Sequence, residues 1–389
     1  MKLLVVCQYY HPEPFRIADL CEGLVKEGHE VTVITGLPNY PMGEIYSGYE
    51  NGARREEIIN GVKVHRCFEI PRKKGALYRF LNYYSFSFSS TAYVKKLKEE
   101  FDAVLVYQLS PVMMANAGIA YKKKHHKRLA LYCLDLWPES LKAGGINEKS
   151  VVFSLFHKIS AKIYKQVDKL MISSKSFAKY FKDEFGINNT IYLPQYAEEL
   201  FAPDKCVKKT DETIDLMFAG NIGTVQGVDI MIRTAEKMKD VKNLYWHIVG
   251  DGIELENLKD LAESLKLSNV IFHGRKPIEE MPAMYAMADA MVVTMKEEKL
   301  ASMTLPAKVQ SYMAAGKPVL GSVSGETKQI ITEAECGFCA SAEDIDEFEK
   351  CVREFLKSNI KKLGTSARSF YEDNFTKEIY LKKLLENLE

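Results

Sequence analysis

"KLLVVCQYYHPEPFRIADLCEGLVKEGHEVTVITG", residues 2–36, reads as strand, helix and strand. "KLLVVC" is a short apolar run, and "EVTVITG" is a second one rich in β-branched residues. Between them Ile17, Leu20, Leu24 and Val25 fall at helical spacing, and Gly28 stands where a helix-ending glycine belongs. Two such strands joined through a helix form a βαβ unit, the building block of a parallel sheet covered by helices.

The alternation continues outward from that unit. "VKVHRCFEI" (62–70) precedes a helical stretch reaching residue 100; "AVLVYQ" (103–108) precedes a helix over 111–124. "LALYCLDLW" (129–137) is followed by a helix over 152–166 and by "KLMISS" (169–174). Residues 192–213, "YLPQYAEELFAPDKCVKKTDET", are polar, carry two prolines and lack periodicity, so they read as a linker. A second series follows: "IDLMFAG" (214–220), "LYWHIVGDG" (244–252), "NVIFHGR" (269–275), "DAMVVTM" (289–295), "KPVLGSV" (317–323) and "GFCAS" (337–341). The prediction is α/β, with two Rossmann-like, doubly wound parallel-sheet domains over residues 1–195 and 213–372. Ligands of such sheets sit at the carboxyl ends of the strands, here in a cleft between the domains.

Bulk properties narrow the function. The chain has 389 residues, 47% hydrophobic and 27% charged, which suits a soluble two-domain protein. A net charge of +1 gives no global attraction to nucleic acid. The eight cysteines are scattered, several inside apolar runs, which points to a reducing compartment. The "CGFC" motif (336–339) has no second pair to complete a zinc site, and no acidic metal motif appears. The N-terminal apolar run is too short for a signal peptide, and none reaches the roughly 18 apolar residues of a membrane span. Residues 72–98 are different: seven basic residues, seven aromatics and no acid, a composition suited to an anionic membrane surface. The expected localisation is cytoplasmic, peripheral at the inner face of the membrane.

Three successive glycine turns mark the second half: Gly220, Gly223 and Gly227; Gly250 and Gly252; Gly274. Turns of this kind bring backbone N–H groups towards a ligand and suit a diphosphate. "FAGNIGTVQG" (218–227) carries no Lys or Arg, so a cation must come from elsewhere. Lys308 is the candidate, in the first turn of a helix opened by Pro306 in "TLPAKVQSYMAAGKPVLGSVSGE" (304–326). A lysine at that positive helix end is disfavoured unless an anion lies near. Glu326 and Thr327 follow the next strand, where Glu326 suits sugar hydroxyls or a helix cap. In the first half, Glu13 and Arg16, Asn39 and Tyr40, and Asp135, Trp137 and Glu139 follow successive strands. Asp135 is the expected partly buried carboxylate.

"GHEVTVITGLPNYPMGEIYSGYE", "DLWPES", "FAGNIGTVQG", "VGDG" and "PAKVQSYMAAGKPVL" together resemble glycosyltransferase family 4. The likeness is greatest to the branch that builds O-antigen and capsule repeat units, including N-acetyl-L-fucosaminyltransferase-like enzymes. The resemblance implies a GT-B fold, a nucleotide-sugar donor on the second domain, an acceptor on the first, and no metal or cofactor. It also implies a last helix (373–389) that crosses back to the first domain. Donor-binding residues would be Gly220, Asn221, Gly223, Gln226, Gly250, Gly252, Arg275, Leu305, Lys308, Ser311, Glu326 and Thr327. Acceptor-binding residues would be Glu13, Arg16, Asn39, Tyr40, Trp137 and Glu139, with Asp135, Lys308 and Glu326 as the catalytic group. The chain departs from the wider family in two places. Asn221 and Gln226 stand where many members carry Arg and Lys, and Met303 and Ser311 where they carry two glutamates.

These implications describe transfer of a sugar from a nucleoside diphosphate, UDP favoured, to a polyprenyl-diphosphate-linked saccharide, with retention. Two other classes share the architecture. A non-hydrolysing sugar-nucleotide 2-epimerase would need a carboxylate–histidine set from His11, His247 or His273, and no partner set is evident in sequence. A non-catalytic nucleotide- or lipid-binding scaffold would follow from the lost charges.

Overall fold

The computed structural model describes residues 1–73, 75–207 and 212–389. It divides into two units, Met1–Leu193 with Leu381–Glu389, and Pro194–Tyr380.

The first unit is built on eight strands: β1 (Lys2–Val6), β2 (Glu30–Thr35), β3 (Glu56–Ile59), β4 (Val62–Arg66), β5 (Ala103–Gln108), β6 (Arg128–Cys133), β7 (Lys169–Ile172) and β8 (Thr190–Tyr192). Their order is β3-β4-β2-β1-β5-β6-β7-β8. Five helices connect them: α1 (Ile17–Lys26), α2 (Ala76–Lys96), α3 (Ala115–His125), α4 (Val151–Tyr164) and α5 (Ser176–Phe185). Strand β5 is buried at every position, which is why its sequence is an unbroken apolar run. The sheet is not wholly parallel. Strand β3 pairs antiparallel with β4, and neither β3 nor the three-residue β8 stands out in the sequence as a strand. Both lie at sheet edges, where one covered face asks for few apolar residues.

The second unit has six parallel strands: β9 (Ile214–Ala219), β10 (Leu244–Val249), β11 (Val270–Gly274), β12 (Ala290–Thr294), β13 (Val319–Ser322) and β14 (Gly337–Ala340). Their order is β11-β10-β9-β12-β13-β14. Among the described residues, nine α-helices belong to this half of the chain: α6 (Asp229–Lys237), α7 (Leu255–Ser264), α8 (Met281–Met287), α9 (Lys299–Met303), α10 (Ala307–Ala314), α11 (Gly325–Glu333), α12 (Ile345–Phe355), α13 (Ile360–Asn374) and α14 (Lys377–Leu388). The last turns of α14 fall in the first unit. One apolar cluster covers each face of the sheet: Met217, Val293, Val309 and Tyr312 on one side, Phe218, Trp246, Ile232 and Phe348 on the other. The stretch expected to be a linker holds two short 3-10 turns, Glu199–Phe201 and Pro203–Lys205, and its residues 208–211 lie outside the described residues.

Each sheet reverses its strand order once, at β1/β5 in the first unit and β9/β12 in the second. The loops leaving those strands diverge and open a crevice. The candidate site of each unit lies there.

Candidate active-site residues in each unit

In the second unit the three glycine turns pack on one another. Gly250 has φ +143, and a Cβ there would lie 1.8 Å from the Gly220 carbonyl oxygen, so only glycine fits. The close packing has a cost in free donors. Gly220 N–H donates to Val249 O, Ile222 N–H to Asp251 O and Gly250 N–H to Gly274 O, each at 2.9 Å. Gly223 N–H donates to Gln226 Oε1 at 3.1 Å, and Gly252 N–H to Asp251 Oδ1 at 2.8 Å. In this structure Gly220, Gly223, Gly250 and Gly252 use their N–H groups within the turns. Their amides hold the turns together. Asn221 Nδ2 also donates to Gln226 Oε1, at 3.3 Å, so the two amides standing at the departed Arg and Lys positions bond each other.

Lys308, the expected cation, reaches the first glycine turn from α10. Tyr312 on α10 donates its hydroxyl proton to Ala219 O at 3.1 Å and accepts from Ala219 N–H at 3.2 Å, which fastens α10 to the end of β9. Lys308 lies one turn earlier and reaches the same strand end. Its Nζ sits 3.9 Å from the centroid of the Phe218 ring, and a Cβ on Gly220 would approach it to 2.7 Å. The nitrogen is buried and has no hydrogen-bond partner among the described residues. Burial alone lowers its pKa to about 7. An unpaired buried amine on a turn without charge is a place for an anion.

The other expected donor residues divide. Glu326 is buried in the first turn of α11, and Leu305 is buried just before α10. Thr327 donates to Thr304 O at 3.1 Å and Ser311 to Ala307 O at 3.3 Å, so both hydroxyls serve the fold. Arg275 is exposed just beyond β11, and Lys276 pairs with Glu280 at 3.6 Å. A carboxylate–histidine set does exist: Asp215 Oδ1 lies 2.8 Å from His247 Nε2, and His247 Nδ1 lies 2.9 Å from His273 Nε2. It crosses β9, β10 and β11 with His247 buried in the sheet. Cys336 and Cys339 are free thiols, and no group of three metal-binding side chains converges among the described residues.

In the first unit, Glu13 is buried and accepts from the backbone N–H groups of Asn39 (2.9 Å), Tyr40 (2.8 Å) and Tyr10 (3.2 Å). Burial outweighs these bonds and raises its pKa to about 7. Asn39 donates to Glu69 Oε1 at 3.0 Å and accepts from Arg72 N–H at 2.9 Å. Glu69 is the residue that the sequence reading missed. It is fully enclosed, takes further amide protons from Gln8 at 3.1 Å and from Asn82, and is pushed up to about 8 by burial and then by Glu13. A lone acid between Phe68 and Ile70 was the available signal. Tyr40 packs on Tyr9 and Phe15, and Arg16 is half-buried at the start of α1.

Asp135 follows β6, where its Oδ2 accepts from Ser110 Oγ at 3.0 Å, and burial raises its pKa. The Arg72 guanidinium opposes that rise. Trp137 and Glu139, expected as acceptor contacts, are buried with their polar atoms taken. The Trp137 indole is buried and donates to Ser110 Oγ at 2.9 Å. The buried Glu139 pairs with Lys142 at 2.7 Å and accepts from Tyr180 at 3.3 Å. Both anchor the loop that presents Asp135.

Residues 16–193 match Glycosyltransferase Family 4, and residues 204–370 match Glycosyl transferases group 1. The two matches together span most of the chain, and its two parallel-sheet α/β units have the fold of GT-B glycosyltransferases. It is 26% identical over 414 residues to the putative colanic acid biosynthesis glycosyl transferase WcaI of Escherichia coli, covering 100% of each chain. Against the probable glycosyltransferase WbjE of Pseudomonas aeruginosa it is 24% identical, over 64% of this chain and 65% of that one. Among solved structures, Thermosynechococcus elongatus sucrose-phosphate synthase superposes with a TM-score of 0.74 at 15% identity, covering 99% and 97% of the chains. Anabaena HepE in complex with UDP gives 0.73 at 12% identity, covering 100% and 99%. At these identities the structures speak for the fold.

Proposed function

We propose that the protein transfers a sugar from a nucleoside diphosphate, UDP favoured, to a polyprenyl-diphosphate-linked saccharide in bacterial surface polysaccharide synthesis. The observation that carries this reading is Lys308, a buried, unpartnered amine at the switch point of the second unit. Breaking the anomeric C–O bond builds charge on the departing diphosphate, and a preorganised cation there lowers the barrier by roughly 3 kcal/mol. The leaving phosphate itself takes the acceptor proton, with retention. Glu326 meets donor hydroxyls. Asp135, with Ser110 behind it, orients the acceptor hydroxyl. The similarity to WcaI, named for colanic acid biosynthesis, supports a surface polysaccharide role, and an N-acetylated deoxy-hexosamine is the donor sugar we favour.

Helix α2 supplies the membrane contact. Leu77, Phe80 and Phe88 are exposed along it, with Lys73 and Arg79 at its start and Lys95, Lys96 and Lys98 at its end, whereas Arg72 turns inward to Tyr9 and Asp135. Lys74 lies outside the described residues. No helix among the described residues is long and apolar enough to cross a membrane, so the contact is peripheral and, in this reading, cytoplasmic. Calorimetry with UDP, GDP and dTDP, each with and without EDTA, tests the donor. Micromolar UDP binding indifferent to EDTA is expected; tighter GDP binding would replace the donor, and no binding would remove the reading.

A further inference from the structure

The Lys308 amine sits in a setting that suits an ammonium poorly while the turn is empty. An ammonium carries three donors, and among the described residues Nζ meets no acceptor. Its contacts are the face of Phe218 and the backbone at Gly220. An aromatic face compensates a cation only in part. Among the described residues no charged group acts on the amine; burial is the single cause of its shift. The titratable neighbour on the same helix is Tyr312, whose hydroxyl is committed to Ala219 and whose proton burial holds firmly.

Resting on the nucleotide reading above, we propose that diphosphate capture at this turn is coupled to protonation of Lys308: the anion draws from solvent the proton that the empty site does not fully hold. The bond formed is N–H on the amine, the proton comes from water or buffer, and no other bond changes. In the empty site the amine titrates near neutrality, at about 7. Diphosphate oxygens supply the missing acceptors and the opposite charge, which restores the ammonium well above that pH. Binding at pH 8.5 therefore takes up close to one proton per nucleotide. Across the same window affinity falls by about tenfold per pH unit. The glycine at 220 leaves the amine room, and no carboxylate among the described residues takes the charge before the ligand does.

The test is calorimetry of the full chain with UDP at pH 8.5 in two buffers of different ionisation enthalpy. The terminal phosphate, with its second pKa at about 6, is already ionised there, so any proton taken up goes to the protein. The expected result is uptake near one proton in the wild type, retained in His273→Asn and lost in Lys308→Met measured at raised ligand concentration. Buffer-independent heats with tight UDP binding would overturn the coupling and leave the nucleotide site standing. Uptake that persists in Lys308→Met, or disappears in His273→Asn, would also overturn it, because another group would be carrying the proton. No heat with UDP, GDP or dTDP would overturn the reading beneath it.

Discussion

Replacing Lys308 with Met should make the free protein more stable and the nucleotide complex weaker. The amine falls from an ordinary 10.5 to about 7. At about 1.36 kcal/mol per pH unit, that fall sets an upper bound of about 5 kcal/mol on the cost of holding the charge at neutral pH. The Lys308 nitrogen is not exposed, so solvent screening takes little off that figure, and an apolar Met side chain in its place recovers about 1–3 kcal/mol of it. The sign follows from proton counts. Between pH 7 and 10.5 the unfolded chain holds this proton more fully than the folded one, so wild-type stability rises with pH across that window. The Met variant should therefore gain most at pH 6, by about 3–8 °C in Tm, and gain little near pH 10. UDP affinity should fall by roughly 30- to 150-fold, for a lost charge-assisted hydrogen bond of about 2–3 kcal/mol. Thermal melts at pH 6 and pH 10, with calorimetry on the same samples, measure both effects. A variant that is less stable at pH 6 and binds UDP unchanged would refute the reasoning, since the amine would then be an ordinary solvated lysine.

Further predictions concern the first unit and the glycine turns. Glu69 and Glu13 are raised to about 8 and about 7, so their contribution to stability is complete below about pH 4.5 and is lost as pH rises through 7 and 8. Glu69→Gln should flatten that decline in a Tm-versus-pH series by roughly 1–3 kcal/mol between pH 5 and pH 9. Asp135→Asn should cut turnover by about 100-fold while leaving UDP affinity unchanged, a split that calorimetry and a UDP-release assay resolve. Phe80→Ser with Phe88→Ser on α2 should weaken sedimentation with phosphatidylglycerol vesicles and leave Tm within about 1 °C, because both rings are exposed. Gly250→Ala should destabilise by about 2–4 kcal/mol, since its Cβ would lie 1.8 Å from Gly220 O.

Much of the fold was legible because strands buried on both faces write themselves as apolar runs; β1, β5, β6, β9 and β12 are of this kind. Strand β3, "EEII", is half-exposed at an edge, and its antiparallel pairing depends on a turn at Asn60 and Gly61 that carries no apolar pattern. The place of Lys308 was legible too, since Pro306 sets the start of its helix. Side-chain direction was not. Nothing in "NIGTVQG" says that Asn221 and Gln226 bond one another, or that Gly220 and Gly250 use their N–H groups on neighbouring turns. Glu139 and Trp137 looked functional because they stand beside Asp135, yet Lys142, Tyr180 and Ser110 occupy their polar atoms. Glu69 escaped notice for the opposite reason: its partners Gln8, Asn39 and Asn82 come from three distant stretches that only the fold assembles.

The proposed activity is sugar transfer from a nucleotide donor to a lipid-linked acceptor. Its most direct test incubates the protein with UDP-N-acetylhexosamines and a polyprenyl-diphosphate-linked saccharide in phosphatidylglycerol vesicles, then weighs the lipid by mass spectrometry. The account predicts a mass gain of one sugar residue with stoichiometric release of UDP, sharply reduced in Lys308→Met. An unchanged lipid beside an epimerised sugar nucleotide, or beside intact donor across UDP, GDP and dTDP sugars, would contradict it.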